Sequence, residues 1–174
     1  MRIYLIGFMG SGKSRAGRKL APTLQLPFVD LDDRIEAAAG CSISDFFARH
    51  GESAFRQLEA RCLRQTEAVS GLIVACGGGT PCYHDNMAWM NRAGLTVFLD
   101  PPLEVLAERL QRGRAHRPLL KGMADSDTLR TFIREKLDRR RPFYEQAAIQ
   151  LRPDDENVEA ADLIVEHIPD IIGH

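Results

Sequence analysis

"RIYLIGFMGSGKS", residues 2–14, is the stretch whose reading decides the fold. A short run of mostly apolar, partly branched side chains leads straight into Gly7, Gly10 and Gly12, and these into Lys13 and Ser14. Such a run suits a strand buried on both faces. The G-x-x-x-x-G-K-S spacing comes directly after it and opens a stretch with helical periodicity. Glycines there let backbone amides converge on phosphate oxygens, and the helix N-terminus adds its dipole. Gly10, Ser11, Gly12, Lys13, Ser14 and the following Arg15 are the expected nucleotide-binding residues. Lys13 is placed to reach the β- and γ-phosphates of ATP, and the Ser14 hydroxyl to ligate Mg2+.

Working outward, four more apolar runs follow: "LPFVD" (26–30), "GLIVACGGG" (71–79), "LTVFLD" (95–100) and "AAIQL" (147–151). Apolar residues recur at three- and four-residue steps over 13–24, 52–69, 86–93, 102–112, 127–139 and 158–167, the helical signal. Alternation of this kind predicts an α/β protein with three α/β/α layers around a five-stranded parallel sheet, in one domain spanning 1–174. The connection over 31–69 is unusually long, with breaks at "GCS" (40–42) and "HG" (50–51), and predicts a helical substrate-binding insertion at about 31–62. "GRAHRPLLKGMADS" (113–126), with two glycines, a proline and a basic bias, predicts a mobile lid at about 112–126. "RPDDEN" (152–157) reads as a turn before the last helix.

The 23 basic and 24 acidic residues among 174 leave a formal charge of -1, which argues against a nucleic-acid or anionic-membrane partner. No apolar run approaches the length of a membrane span, and "MRIYLIGFMG" is too short for a signal peptide, so a soluble cytoplasmic protein is expected. Without a large apolar surface stripe, a monomer is expected. Cys41, Cys62, Cys76 and Cys82 form no CxxC pair and have no clustered His, which suits reduced thiols. No N-K-x-D stretch marks a GTPase. A transport or motor ATPase needs a longer chain and a strand closing in Asp after four apolar residues; the nearest candidate, "LIVAC" (72–76), runs into Gly77. A small kinase remains.

On the acceptor side, "FVDLDDR" (28–34) sets Asp30 and Asp32 two apart at a strand end, where alternate side chains share a face. Asp30 there would hold metal-bound water, and Asp32 would accept or orient the proton of an acceptor hydroxyl. The competing role for such a cluster is a helix cap, and Asp33 is expected as that cap or as a surface carboxylate. "ESAFRQLEARCL" (52–63) places Arg56 and Glu59 three apart on a helix, close enough for the carboxylate to fix the guanidinium. Arg49, Arg61 and Arg64 are expected on a solvated face. Three consecutive glycines, Gly77 to Gly79, at the end of a buried strand suit the close approach of a ligand. Arg117 in "HRPLL" (116–120), or Arg139, Arg140 or Arg141 in "RRRPFY" (139–144), could arrive over a γ-phosphate and exclude water.

In this order and spacing, "GFMGSGKS", "DLD", "FRQLE", "CGGGT", "RPLL" and "RRPFY" resemble the shikimate kinase family of the nucleoside-monophosphate-kinase-like P-loop class, over residue 3 to about 165. The resemblance implies transfer of the ATP γ-phosphoryl to the 3-hydroxyl of shikimate, giving shikimate 3-phosphate and ADP in aromatic amino-acid biosynthesis. It implies Asp32, Lys13 and Arg117 as the catalytic set. It also implies Asp32 on the shikimate hydroxyls, Arg56 and Arg140 on its carboxylate, Gly78 against the ring, and Arg117 as the lid arginine. Arg140 is taken from the arginine trio because it matches an R-x-P-x-Y stretch with Pro142 and Tyr144. Arg15 stands where Thr commonly follows the loop serine, and Arg109 and Arg112 are both candidates for a place near adenine. The alternatives are a related small-molecule kinase such as one for gluconate, or a catalytically inactive nucleotide-binding regulator.

Overall fold

The computed structural model describes residues 1–113, 125–153 and 160–167. Its strands β1 (Arg2–Ile6), β2 (Phe28–Asp30), β3 (Leu72–Ala75), β4 (Leu95–Leu99) and β5 (Ile149–Leu151) form one sheet in the order β2-β3-β1-β4-β5, every neighbouring pair parallel. Each strand lies inside one of the five apolar runs. The helices are α1 (Lys13–Leu24), α2 (Leu31–Ala39), α3 (Ile43–Arg64), α4 (Asn86–Ala93), α5 (Leu103–Arg112), α6 (Ser126–Tyr144) and α7 (Ala160–His167).

The central position of β1 explains its composition. Ile3 and Leu5 face one core with Ala16 and Leu20 of α1 and Ile164 of α7, whereas Tyr4 and Ile6 face the other with residues of α3, α4, α5 and α6. Full burial of each such side chain contributes roughly 1.5–3 kcal/mol relative to leaving it exposed. Tyr4 is buried without penalty because its hydroxyl is paired with Thr66 Oγ1 at 3.1 Å. None of the four cysteines is in a disulfide, and Cys62 and Cys76 are buried. Among the described residues no helix is long and apolar enough to cross a membrane.

The helix boundaries follow the periodicity with one clear exception, the end of α6. The "HG" break divides the helical stretch as expected: α3 starts at Ile43, capped by Ser42 accepting from the Asp45 amide, and its two helical segments meet at a kink where Gly51 leaves helical geometry with φ 76°. α6 runs through Pro142 to Tyr144 instead of stopping at Arg139. Proline costs one intrahelical hydrogen bond there, and the complete burial of Tyr144 holds the last turn in place. The final helix is described over Ala160–His167, and its expected start at 158 lies outside the described residues. The turn expected at 152–157 lies mostly, and the lid almost wholly, outside the described residues.

Function is positioned by topology. β1, β3 and β2 are adjacent and parallel, so the segments that follow them, Gly7–Ser14, Gly77–Gly79 and Asp30–Asp32, emerge side by side at one sheet edge.

Candidate active site

The loop after β1 takes left-handed backbone where only glycine is unstrained: φ is 139° at Gly7, 81° at Gly10 and 96° at Gly12. Gly7 is also fixed by space, since a side chain there would meet the Leu99 carbonyl oxygen at 2.5 Å. Lys13 folds over the loop, its Nζ donating to the carbonyls of Gly7 at 2.9 Å and Phe8 at 2.8 Å. Ser14 Oγ donates to Asp30 Oδ2 at 2.5 Å, tying the first turn of α1 to the end of β2.

That contact corrects the reading of the aspartates. Asp30 ends β2 and is itself the N-cap of α2, its Oδ1 accepting from the Asp32 amide at 3.1 Å; Asp33 is exposed in the first turn, the surface carboxylate of its two expected roles. Asp32 is on the helix, so it does not share a strand face with Asp30. One carboxylate serves both readings of the cluster, capping through one oxygen and receiving Ser14 through the other.

Asp32 lines a cleft of about 600 Å³ together with Gly10, Gly12, Lys13, Ser14, Arg15, Asp30, Gly77, Gly78 and Arg109. Desolvation by the cleft walls, then the charges of Asp30 and Glu59, push its carboxyl up to about 6, with Lys13 opposing. The side chain keeps solvent contact, so water tempers this shift and its upward direction is what matters. A group titrating there is ionised at neutral pH yet basic enough to take a hydroxyl proton. The expected pH profile of kcat/KM therefore falls on the acid side with a midpoint near 6 instead of near 4; a limb at ordinary carboxylate pH would remove the shift from the chemistry.

Three consecutive glycines face three of the expected site residues. A side chain at Gly77 would meet Asp32 Oδ1 at 3.3 Å, one at Gly78 would meet Arg140 Nη1 at 3.1 Å, and one at Gly79 would meet Arg56 Nη2 at 2.6 Å. The absence of side chains along 77–79 is thus what lets a carboxylate and two guanidiniums crowd one strand end. Arg56 is held firmly: its Nη1 donates to the buried Glu59 at 2.8 Å, Glu52 accepts from its Nε and Nη2 at 3.4 and 3.3 Å, and the Tyr83 ring lies 4.3 Å away.

The i,i+3 spacing foretold the Arg56–Glu59 pair. Nothing in the sequence indicated that Thr80 Oγ1 donates to the other Glu59 oxygen at 2.6 Å, that Asn86 Nδ2 donates to the Thr80 carbonyl at 2.8 Å, or that Tyr144 donates to the Gly78 carbonyl. Arg64 is not solvated as expected: it donates to Asn86 Oδ1 and the His84 carbonyl and lies over Trp89. Arg109 Nη1 donates to the Gly10 carbonyl at 3.4 Å, whereas Arg112 is exposed and paired with Glu108, so of the two Arg109 stands at the phosphate loop. Arg139 is exposed and Arg141 turns to Asp100. Asp100 directly follows β4 and is not among the cleft's lining residues. Arg117 lies outside the described residues.

Among the described residues no group of three or more His, Cys, Asp or Glu could hold an ion unaided. The adjoining Ser14 hydroxyl and Asp30 carboxylate instead offer hard oxygens for a cation that takes its remaining ligands from phosphate and water, the habit of Mg2+.

A phosphate cradle opening onto a cluster of one basic carboxylate and two guanidiniums suits phosphoryl transfer from ATP to a small anionic alcohol, which makes this an ATP-dependent P-loop kinase. A sequence model of the family described as shikimate kinase matches residues 9–169. The chain belongs to the shikimate kinase family. Shikimate kinase of Bacteroides fragilis is 44% identical over 147 residues, 84% of this chain and 82% of the relative, and that of Salinibacter ruber is 42% identical over 170 residues, 95% of this chain and 83% of the relative. Among solved structures, shikimate kinase from Bacteroides thetaiotaomicron superposes with a TM-score of 0.90 at 36% identity, covering 100% of this chain and 99% of the other. The Acinetobacter baumannii shikimate kinase, solved in complex with shikimate, gives 0.83 at 32% identity, covering 99% and 93%.

Proposed function

We propose that this chain transfers the γ-phosphoryl of ATP to the 3-hydroxyl of shikimate, with Arg56 and Arg140 pairing with the substrate carboxylate, Asp32 binding the hydroxyls and taking the proton, and Gly78 lying against the ring. The observation that carries this reading is the meeting of Asp32, Arg140 and Arg56 along Gly77–Gly79, beside the loop that holds Lys13. Two guanidiniums suit a carboxylate through charge-assisted hydrogen bonds, and a carboxylate above its usual range suits an alcohol proton. Gly10, Ser11, Gly12, Lys13, Ser14 and Arg15 bind the nucleotide phosphates; Lys13, now on loop carbonyls, exchanges those acceptors for phosphate oxygens. Ser14 Oγ would ligate Mg2+ while its hydroxyl donates a hydrogen bond to Asp30, and Asp30 would hold the ion through water. When bound, the ion neutralises charge on the phosphates. Arg117 completes the set as the lid arginine.

On this reading the whole chain is one kinase domain, with the acceptor side built on 31–62 and a lid at 112–126, working as a cytoplasmic monomer without nucleic-acid or membrane partners. The near-neutral charge supports the last point. A steady-state assay with ATP and a panel of hydroxy acids tests it: turnover is expected with shikimate and not with gluconate. Activity on gluconate alone points to the related sugar-acid kinase, and nucleotide binding without turnover on any acid points to a regulator.

A further inference from the structure

The last turn of α6 has an unusual construction. It follows directly on Arg140, yet it contains Pro142, which has no N–H to give to the carbonyl four residues earlier. A turn weakened in this way would let a long side chain wander, but tertiary contacts grip it from two sides. Tyr144, completely buried, donates to the Gly78 carbonyl. On the other side Arg141 makes a two-pronged contact with Asp100, Nη1 to Oδ2 at 2.8 Å and Nη2 to Oδ1 at 3.1 Å.

Asp100 is only 7% exposed and sits at the end of β4. Its amide donates to the Leu151 carbonyl at 2.9 Å, and the carbonyl of the preceding Leu99 is the atom that leaves no room for a side chain at Gly7. The strand end that receives Arg141 therefore also backs the phosphate loop. The remaining charges in the cluster are peripheral: Arg152 Nε is 3.8 Å from Asp100 Oδ2, and Glu145 Oε1 is 3.7 Å from Arg141 Nη1. A bidentate Arg–carboxylate pair fixes orientation as well as distance, and one whose carboxylate is buried is screened less by salt than a fully exposed pair.

We infer that Asp100 and Arg141 are positioning residues for substrate binding: by clamping the proline-weakened end of α6 to the strand end behind the phosphate loop, they hold Arg140 against Gly78 at the acceptor side of the cleft. The inference rests on the proposed contact of Arg140 with the substrate carboxylate. Neither residue touches substrate. Their effect passes through the placement of one guanidinium, so it is confined to the acceptor and vanishes when that guanidinium is removed.

The test combines Asp100→Asn and Arg141→Met with Arg140→Ala in full-length enzyme, reading the KM for shikimate, the KM for ATP, kcat and the melting temperature. Arg141 is partly exposed and its loss leaves Asp100 beside Arg152, so Arg141→Met keeps the test open if Asp100→Asn folds poorly. Each clamp variant is expected to raise the KM for shikimate roughly tenfold while the KM for ATP and kcat stay within about twofold. In the Arg140→Ala background the same substitutions are expected to lower the melting temperature as before but to add nothing to the KM for shikimate. A lowered melting temperature with unchanged KM, equal changes for both substrates, or the same rise in KM in the presence and absence of Arg140 each overturn the inference. If Arg140→Ala itself leaves the KM for shikimate unchanged, the carboxylate assignment fails and the inference with it; if Arg140→Ala weakens shikimate but the clamp variants do not, the inference alone fails.

Discussion

Asp32→Asn is expected to lower kcat by roughly 10²- to 10⁴-fold, the range that a positioned general base contributes, with the KM for ATP changed only a few-fold. The amide keeps the size of the carboxyl and stays at the cleft wall beside Gly77, so hydroxyl binding is largely retained while the proton acceptor is lost. A second consequence has the opposite sign. The folded carboxyl titrates near 6, above the ordinary 3.8, because burial and the Asp30 and Glu59 charges disfavour ionisation. A group raised in the folded state contributes stability that is fully present below its unfolded pKa and is lost as pH rises through its folded pKa. Ionised Asp32 therefore opposes folding at neutral pH. Asp32→Asn should melt at a higher temperature than the parent at pH 7.5 and show little difference at pH 3.5, with the gain reduced by the solvent contact of the side chain. Steady-state kinetics and thermal melts at the two pH values check both halves. An unchanged kcat would exclude Asp32 from proton transfer.

Arg56→Ala is expected to raise the KM for shikimate roughly 10- to 150-fold, corresponding to the about 1.5–3 kcal/mol carried by a hydrogen bond to a charged group. It should also destabilise the fold by about 3–5 kcal/mol, because it strips the partner from Glu59, a carboxylate only 1% exposed. The two effects are separable. Glu59→Gln on top of Arg56→Ala removes the stranded charge, while the neutral amide still accepts from Thr80, so stability should return towards that of the parent and the KM for shikimate should not. Recovery of both together would mean that Arg56 acts through the fold alone and does not meet the carboxylate.

The fold was legible to a large degree because its determinants are short-range. Each strand coincides with a compact apolar run, and α1 and α4 begin and end where periodicity places them. Errors came where a distant contact overrode a local rule. Pro142 should end a helix, yet burial of Tyr144 carries α6 past it. Asp30 and Asp32 were paired by strand periodicity, and they are neighbours because one caps the helix on which the other sits. At the site, the residue types and the resemblance identified the arginines, but a string of letters carries no sign of Thr80 and Asn86 supporting Glu59, or of Asp100 receiving Arg141.

By itself the sequence determined the sheet-and-helix alternation, the phosphate loop and the family, since all of these depend on spacings of a few residues: periods of burial, glycines at positive φ, a lysine and a serine at a helix start. Only the tertiary structure decided which face each charged group presents and what holds it there. Arg56 and Arg140, far apart along the chain, meet at Gly78 and Gly79 because β3 lies next to β1 and the ends of α3 and α6 pack over that edge. The physical reason is that a guanidinium takes its direction from the carboxylates, rings and carbonyls around it, and those neighbours are set by packing across the sheet, not by distance along the chain.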